Sequence, residues 1–406
     1  MVIKKGPLGN IKVLDLTHML SGPYGGMILA DLGCEVVKIE PPIKGEGTRR
    51  LLENDVNYSV DGMGAYFYTL NRNKKSVAID LKAAEGLKIF YQLAEKADVV
   101  ISNFSAGVTK KLKIDFETLK NINPKIVTCT VSGFGESGPN FQRPAFDQIA
   151  QALGGGMSIT GMSAKEPMRA GIPIGDLGGG MFAVMGIQAA LIDRASSGVG
   201  QHVDISMLDC QISMLNYMAT MQTMSGIIPE PIGNSHFVHM PYNSFLTKDY
   251  PIVIAAVGDQ FWPRLLKIFK NPELQNPLYE KAFERQKDKE KLESIIQQEL
   301  LKESSDYWLQ ALEKESVPCA RVNNLEQAIN DEQAQHRNML VEVPHPEGGS
   351  AKIPGNPIKL SSVEKEEFRA PPLLGEHTKE ILENWLGYSP NQLAELDSQN
   401  IIEIKK

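Results

Sequence analysis

The sequence predicts an α/β fold: a mainly parallel sheet with helices on both faces, and a second, smaller α+β domain. Three observations carry this. Short apolar runs alternate with helical spacing through the first half of the chain. The composition changes near Ser225. The 406 residues exceed what one compact core usually holds.

The elements follow in order. Lys12 to Leu16, KVLDL, reads as a buried strand. Tyr24 to Leu32 reads as a helix closed by Gly33. EVVKIE at Glu35 to Glu40 is a second strand and Ser76 to Asp80 a third. A helix over Ala83 to Lys96 follows. DVVIS at Asp98 to Ser102 and KIVTCTVS at Lys125 to Ser132 are further strands, with a helix at Phe116 to Ile122 between them. Such a βαβ rhythm favours parallel pairing, because each crossover helix returns the chain to the end of the sheet where the last strand began. Ile227 to Asn243 is rich in Pro, Gly, His and Asn, as a connector is. A hairpin then turns at Lys248-Asp249-Tyr250. Leu292, Ile295, Ile296 and Leu300 carry helical spacing. From about His345 the chain reads as short strands, a Pro371-Pro372 pair and a last helix at Thr378 to Leu386.

Composition excludes several classes of function. Lys plus Arg number 42 and Asp plus Glu 49, a net charge of −7. A chain of this sign is poorly suited to non-specific nucleic-acid binding, and an anionic ligand needs a local basic patch. The four cysteines, Cys34, Cys129, Cys210 and Cys319, form no CxxC pair. That argues against a disulfide framework or a zinc knuckle and for a reducing compartment, the cytoplasm or a mitochondrial matrix. Met1 to Gly9 lacks a signal-peptide apolar run, and the longest apolar stretch, Met181 to Ile192, is too short to span a bilayer.

Some motifs carry chemistry. The turn Thr17-His18-Met19-Leu20-Ser21-Gly22-Pro23 opens a helix, where backbone amides can meet an anion. This turn carries neither GxGxxG nor GxxxxGK[ST], which takes most of the support from the dinucleotide and P-loop readings. Arg72, Lys74, Lys75 and Lys82 cluster near a strand end, as phosphate ligands or as a plain solvated charge run. Lys110, Lys111 and Lys113 follow the same logic. His236 and His239 form an HxxH with nothing to complete a metal site. The sharpest feature is Gly175-Asp176-Leu177-Gly178-Gly179-Gly180, read as opening a helix at Met181. Asp at a helix start is often only a cap. Three glycines weaken a helix by roughly 1 kcal/mol each, so something must approach this backbone closely.

Eight segments in order resemble the class III CoA-transferases, the family of formyl-CoA transferase, carnitine CoA-transferase and 2-methylacyl-CoA racemase. They are LDLTHMLSGPYGGMILADLGCEVVKIEPP, NRNKKSVAIDLK, ISNFSAGV, VSGFGESGP, RPAFDQIAQALGG, GDLGGG with SSGVGQHVDISMLD, VPCARVNN and PPLLGEHT. The resemblance implies a doubly wound large domain built from both chain ends, residues 1–225 and 345–406, with residues 226–344 as the inserted domain. It also implies an interlocked homodimer.

Residue by residue, the resemblance makes Asp176 the catalytic aspartate. Met19, Leu20 and Ser21 fall in a CoA-binding turn. Leu20 stands where formyl-CoA transferase has Gln, which argues against formyl-CoA and oxalate. Ile79, Asp80, Leu81 and Lys82 match the adenine end of CoA. Asn103, Phe104 and Ser105 match the pantetheine turn. Lys111 replaces a phosphate-binding Arg, and Pro41 replaces another basic residue. Pro144, Ala145, Phe146 and Asp147 match a further CoA and active-site segment. The racemases of the family carry a His where this chain has Phe146, which cannot move a proton.

These readings imply an enzyme that moves CoA from an acyl-CoA to a free carboxylic acid, through an aspartyl anhydride and an aspartyl-CoA thioester. Overall similarity points to dicarboxylic substrates such as succinyl-CoA. Amides at Gly178, Gly179 and Gly180 are expected to stabilise oxyanions. No metal or prosthetic group is expected, because thioester energy passes from one acid to the other. A racemase and a non-catalytic CoA-binding protein are the alternatives.

Overall fold

The computed structural model describes residues 6–405. The chain forms two compact units. The large one takes the chain up to Met157, Arg169–Ile227 and the chain from Gln333 onward. The small one takes Ser158–Met168 and Ile228–Glu332.

The large unit is organised by a seven-stranded sheet. Its first six strands are β1 (Lys12–Asp15), β2 (Glu35–Glu40), β3 (Lys75–Ile79), β4 (Val99–Ser102), β5 (Val127–Ser132) and β6 (His202–Ser206). They run parallel in the order 3-2-1-4-5-6, the doubly wound order. The strand order reverses between β1 and β4, so the loops leaving those two strands flank a crevice. All six residues of β5 and the last three of β1 are buried, as strands covered on both faces must be.

Alternate side chains feed two cores. Leu14, Val37 and Val77 pack with Ile89, Phe90 and Leu93 of helix α2 (Ala84–Lys96). Val13, Val36 and Val127 pack with Leu29 of α1 (Ser21–Asp31) and with Ala183 and Ile187 of a long helix described below.

The small unit has a three-stranded antiparallel sheet of β7 (Tyr242–Leu246), β8 (Pro251–Ala255) and β9 (Cys319–Arg321). Its core includes Trp262, Phe269 and Trp308. Leu292, Ile295, Ile296 and Leu300 form the buried face of one helix, Lys289–Leu300.

The chain re-enters the large unit at Gln333, not at the expected 345. The reason is a hairpin of β10 (Leu340–Pro344) and β11 (Ser350–Pro354), whose Val343 and Ile353 bury against Phe67 and Tyr68. Residues 158–168 add a piece to the small unit that composition did not reveal, tied by the Gly233 amide donating to Gly161 O at 3.0 Å. Thr378–Leu386 is not the last helix. Pro390–Ser398 follows it, and β12 (Ile402–Glu403) then closes the sheet edge antiparallel to β3.

The basic run at residues 72–75 is neither a solvated stripe nor a phosphate cradle. Arg72 is buried on Asp31, with 2.6 Å between Nη2 and Oδ2. Lys75 bridges Glu35 and Glu380. Lys74 Nζ is fully buried and meets Asp15 Oδ2 at 2.8 Å, Pro23 O at 2.9 Å and Asn71 Oδ1 at 3.1 Å. Three acceptors around one nitrogen require an ammonium. Burial pulls Lys74 down to about 8 and works to raise Asp15, but Lys74 and Lys38 outweigh that and hold Asp15 low. Lys38 Nζ donates to Thr17 O at 2.7 Å, so the cluster also holds the turn after β1. Lys74→Met should cost at least ~3 kcal/mol in chemical denaturation, since it strands a buried carboxylate. An unchanged denaturation midpoint would contradict this reading of the pair.

Candidate active site

Three loops at the carboxyl ends of β1, β4 and β5 assemble the site. After β1, Met19 adopts φ 63°, a left-handed conformation costly for a side chain of this size. The turn is clamped by its neighbour across the strand reversal. The His18 amide donates to Asn103 Oδ1 at 2.9 Å, and Asn103 Nδ2 donates to His18 O at 2.7 Å. The His18 and Phe104 rings lie 5.5 Å apart. The structure thus brings Met19, Leu20 and Ser21 together with Asn103, Phe104 and Ser105. Helix α1 begins at Ser21 rather than Tyr24, which buries the Ser21 side chain.

The next residues lie elsewhere on the same sheet. Asp80, Leu81 and Lys82 follow β3, with Lys82 exposed. Ile79 is 1% exposed and its side chain belongs to the core. Lys111 is exposed on a short helix, Val108–Lys111. Pro41 is exposed after β2. Pro144 and Phe146 are exposed before helix α3 (Asp147–Leu153), with Phe146 at 69%. Ala145 packs over Gly133, where a Cβ would fall 2.4 Å from the Ala145 methyl.

Asp176 lies in the first turn of α4 (Ile174–Ser197), a single 24-residue helix. The expected start at Met181 is therefore corrected. By length and composition α4 suffices to cross a membrane, yet Gly178–Gly180, Ala183, Val184, Ile187 and Ala190 along it are buried. The glycines are part of the helix, not an open loop. Leu177 N already donates to Pro173 O at 3.0 Å, so the amides of Gly178, Gly179 and Gly180 are spent inside the helical ladder. The expectation that they stabilise oxyanions falls. Their purpose is contact with α1. A Cβ on Gly180 would lie 2.6 Å from Ser21 O, and one on Gly179 would lie 2.6 Å from Ser21 Oγ. The two helices touch backbone to backbone there.

Asp147 comes together with the Asp176 turn, where its carboxylate caps α4. Oδ1 accepts from the Gly175 amide at 2.8 Å and the Asp176 amide at 3.2 Å. This satisfies amides that a helix start leaves free. Burial, then the charge of Asp147, pushes the Asp176 carboxyl from its ordinary 3.8 up to about 7.

Tyr66, on the short helix Ala65–Leu70, was not singled out from the sequence. Burial, followed by the charges of Asp176, Glu46 and Asp147, raises its phenol to about 12. It stays a neutral O–H within the electrostatic reach of Asp176. Its sequence surroundings, AYFYTL, look like core, and Phe67 and Tyr68 are core.

The Asp176 shift has a stability consequence. A carboxyl whose folded pKa is raised favours folding fully below 3.8, and that contribution is lost as pH rises to about 7. Three pH units correspond to about 4 kcal/mol, discounted to ~2 kcal/mol for a half-buried group. Asp176→Asn should therefore melt several degrees higher than wild type at pH 8 and much closer to it at pH 4.5. Equal differences at both values would show that Asp176 titrates normally.

Among the described residues no group of three or more His, Cys, Asp or Glu is arranged to hold a metal. Residues 8–378 match the model of CoA-transferase family III. The chain is 34% identical over 398 residues to human succinyl-CoA:glutarate CoA-transferase, covering 98% of this chain and 90% of that one. It is 37% identical to succinyl-CoA:mesaconate CoA-transferase of Haloarcula marismortui, covering 93% and 96%. Acetyl-CoA:oxalate CoA-transferase of Acetobacter aceti is 35% identical, covering 90% and 92%. The crystal structure of a CAIB/BAIF family protein from Brucella suis superposes with a TM-score of 0.83 at 32% identity, covering 94% and 100%. With the family's sequence along nearly its whole length and the family's fold, the chain belongs to CoA-transferase family III and is an enzyme acting on CoA thioesters.

Proposed function

We propose that this enzyme moves CoA from succinyl-CoA, or another dicarboxylic acyl-CoA, to a second dicarboxylic acid through covalent intermediates on Asp176. The observation that supports this most is a carboxyl of raised basicity in the first turn of α4. The dicarboxylic substrates are suggested by the names of the succinyl-CoA:glutarate and succinyl-CoA:mesaconate relatives.

An Asp176 carboxylate oxygen attacks the thioester carbonyl. The C–S bond breaks, giving an aspartyl anhydride and CoA thiolate. The thiolate, held by its nucleotide, attacks the Asp176 carbonyl and expels the donor acid as carboxylate. An acceptor carboxylate attacks the aspartyl-CoA thioester and releases thiolate again. That thiolate attacks the acceptor carbonyl, forms the new acyl-CoA and frees Asp176. Covalent catalysis divides one hard exchange into easier ones, and a retained thiolate has an effective molarity of ~10⁵ M or more. With the glycine amides spent, Tyr66 O–H is the donor assigned to the developing oxyanion. Phe146 offers no proton relay, which disfavours racemisation.

The enzyme is also proposed to act as a homodimer. Met185 and Ile192 on α4 are 52% and 75% exposed, and Tyr217, Met221 and Met224 follow in the same unit at 53%, 40% and 83%. Apolar exposure on this scale suits a subunit contact.

The test is chemical trapping. Enzyme incubated with succinyl-CoA is treated with hydroxylamine or borohydride, and the modified residue is mapped by mass spectrometry. Modification at Asp176 is expected, with turnover against glutarate or mesaconate. Modification at another residue overturns the nucleophile, while trapping without turnover on any dicarboxylate overturns the substrate class.

A further inference from the structure

Asp147 and Gln151 form a chain of contacts that ends on the nucleophile's backbone. The two are four residues apart on α3, so they share a face. Asp147 Oδ2 accepts from Gln151 Nε2 at 2.7 Å, while Oδ1 holds the amides of Gly175 and Asp176. Gln151 is 2% exposed, and its Oε1 accepts from the Ala170 amide at 2.9 Å. Both ends of the Gln151 amide are therefore committed, and its orientation is fixed. A Cβ at Gly175 would lie 3.0 Å from Asp147 Oδ1, so glycine there makes room for the carboxylate.

We propose that Asp147 and Gln151 are positioning residues that destabilise the free carboxylate of Asp176 relative to its acylated form, with Gln151 setting how strongly Asp147 does so. This rests on Asp176 being the nucleophile. The physical reason is a change of charge. Free Asp176 is an anion in the field of a second anion, Asp147, which holds its own backbone amide. Once acylated, as anhydride or thioester, it is neutral and the repulsion is gone. Repulsion present only before reaction favours the covalent states. Gln151 counters part of the Asp147 charge through its N–H, so it tunes the effect.

The groups around the carboxyl are few. Asp147 from α3 acts on it, while the charges of Asp176, Glu46 and Asp147 act on Tyr66 from Ala65–Leu70. Helix α1 faces α4 with Ser21, Tyr24 and Gly25, and helix α5 (Met207–Leu215) faces it with Met207, Cys210 and Met214. Of these, Cys210 is raised to about 11 and Tyr24 is raised as well, so neither is charged at neutral pH.

The experiment measures kcat/KM for succinyl-CoA against pH, and the trapped fraction of aspartyl-CoA thioester, in Asp147→Asn and Gln151→Leu. Asp147→Asn should move the acid limb down by ~1 pH unit and reduce the trapped fraction about tenfold. Gln151→Leu should move the limb up by several tenths of a unit, because Asp147 loses a donor. A purely structural role would lower activity at every pH and leave the limb in place. Displacements in one direction, or none, overturn the proposal. If Asp147→Asn does not fold, the Gln151→Leu limb decides, and a limb unmoved or lowered overturns it. Absence of an Asp176 adduct in wild type is a separate result, which refutes the nucleophile and not merely its tuning.

Discussion

Asp176→Ala is expected to lower kcat by roughly 10⁴-fold or more while leaving CoA affinity within a few fold. The size follows from the kind of group removed. A covalent nucleophile has no substitute among its neighbours. Tyr66 is a protonated phenol and Asp147 is committed to three donors. Losing one member of a covalent constellation typically costs about as much as losing all of it. CoA affinity should survive because the residues assigned to CoA sit on the loops after β1, β3 and β4, clamped by the His18–Asn103 pair. Asp176→Glu is a finer probe. It keeps the charge but displaces the oxygen by about one methylene, a misplacement expected to cost ~10²-fold. Single-turnover rates and calorimetric CoA titration separate chemistry from binding. A residual Asp176→Ala rate within tenfold of wild type would place the nucleophile elsewhere.

Gly180→Val is the second large effect, and it acts on structure. Its first carbon would lie 2.6 Å from Ser21 O and 3.2 Å from Gly25 N, both backbone atoms that cannot swing away. The reciprocal face is as tight, since a Cβ on Gly25 would lie 3.1 Å from Gly180 O. Helices α1 and α4 must separate by a substantial fraction of a side chain. Overpacking of this kind costs ~3–5 kcal/mol or prevents folding. Whatever folds should also lose activity, by roughly 10²-fold, because the turn carrying Met19 and the turn carrying Asp176 ride on those two helices. Gly171→Ala is the control. Nothing lies within 4 Å of its Cβ position, so its stability should change by no more than ~0.5 kcal/mol. Equal melting of Gly180→Val and wild type would mean that the helices do not meet as described.

The parallel sheet was legible because its strands are covered on both faces and read as unbroken apolar runs between helical stretches. Asp176 was legible through its glycines, whose cost to a helix pointed to a close approach to this backbone. The approaching element is α1, and the glycines lie inside α4 rather than before it. Tertiary packing overrode propensity. The run at residues 72–75 misled in another way. Sequence shows the cations but not Asp31 and Asp15, the distant anions that draw Arg72 and Lys74 into the interior. Tyr66 carried no signal, because a tyrosine among Phe67 and Tyr68 looks like packing. Asp147 was noticed through the resemblance but its cap on α4 was not, since capping across two helices has no sequence spacing.

The sheet's last strand carries an implication for biosynthesis. Residues 402–403 complete the edge beside β3, the Asp80 amide donates to Ile401 O, and the Ala78 amide donates to Thr378 Oγ1. None of these partners exists while a ribosome is still translating the middle of the message. Until they emerge, β3 waits as a bare, sticky margin that invites pairing with other nascent chains. Residues 228–332, nearly contiguous, can condense well before that. The unit that carries the proposed nucleophile is thus the last to be finished, and a chaperone that shields β3 during elongation would raise yield more than one acting on the inserted unit.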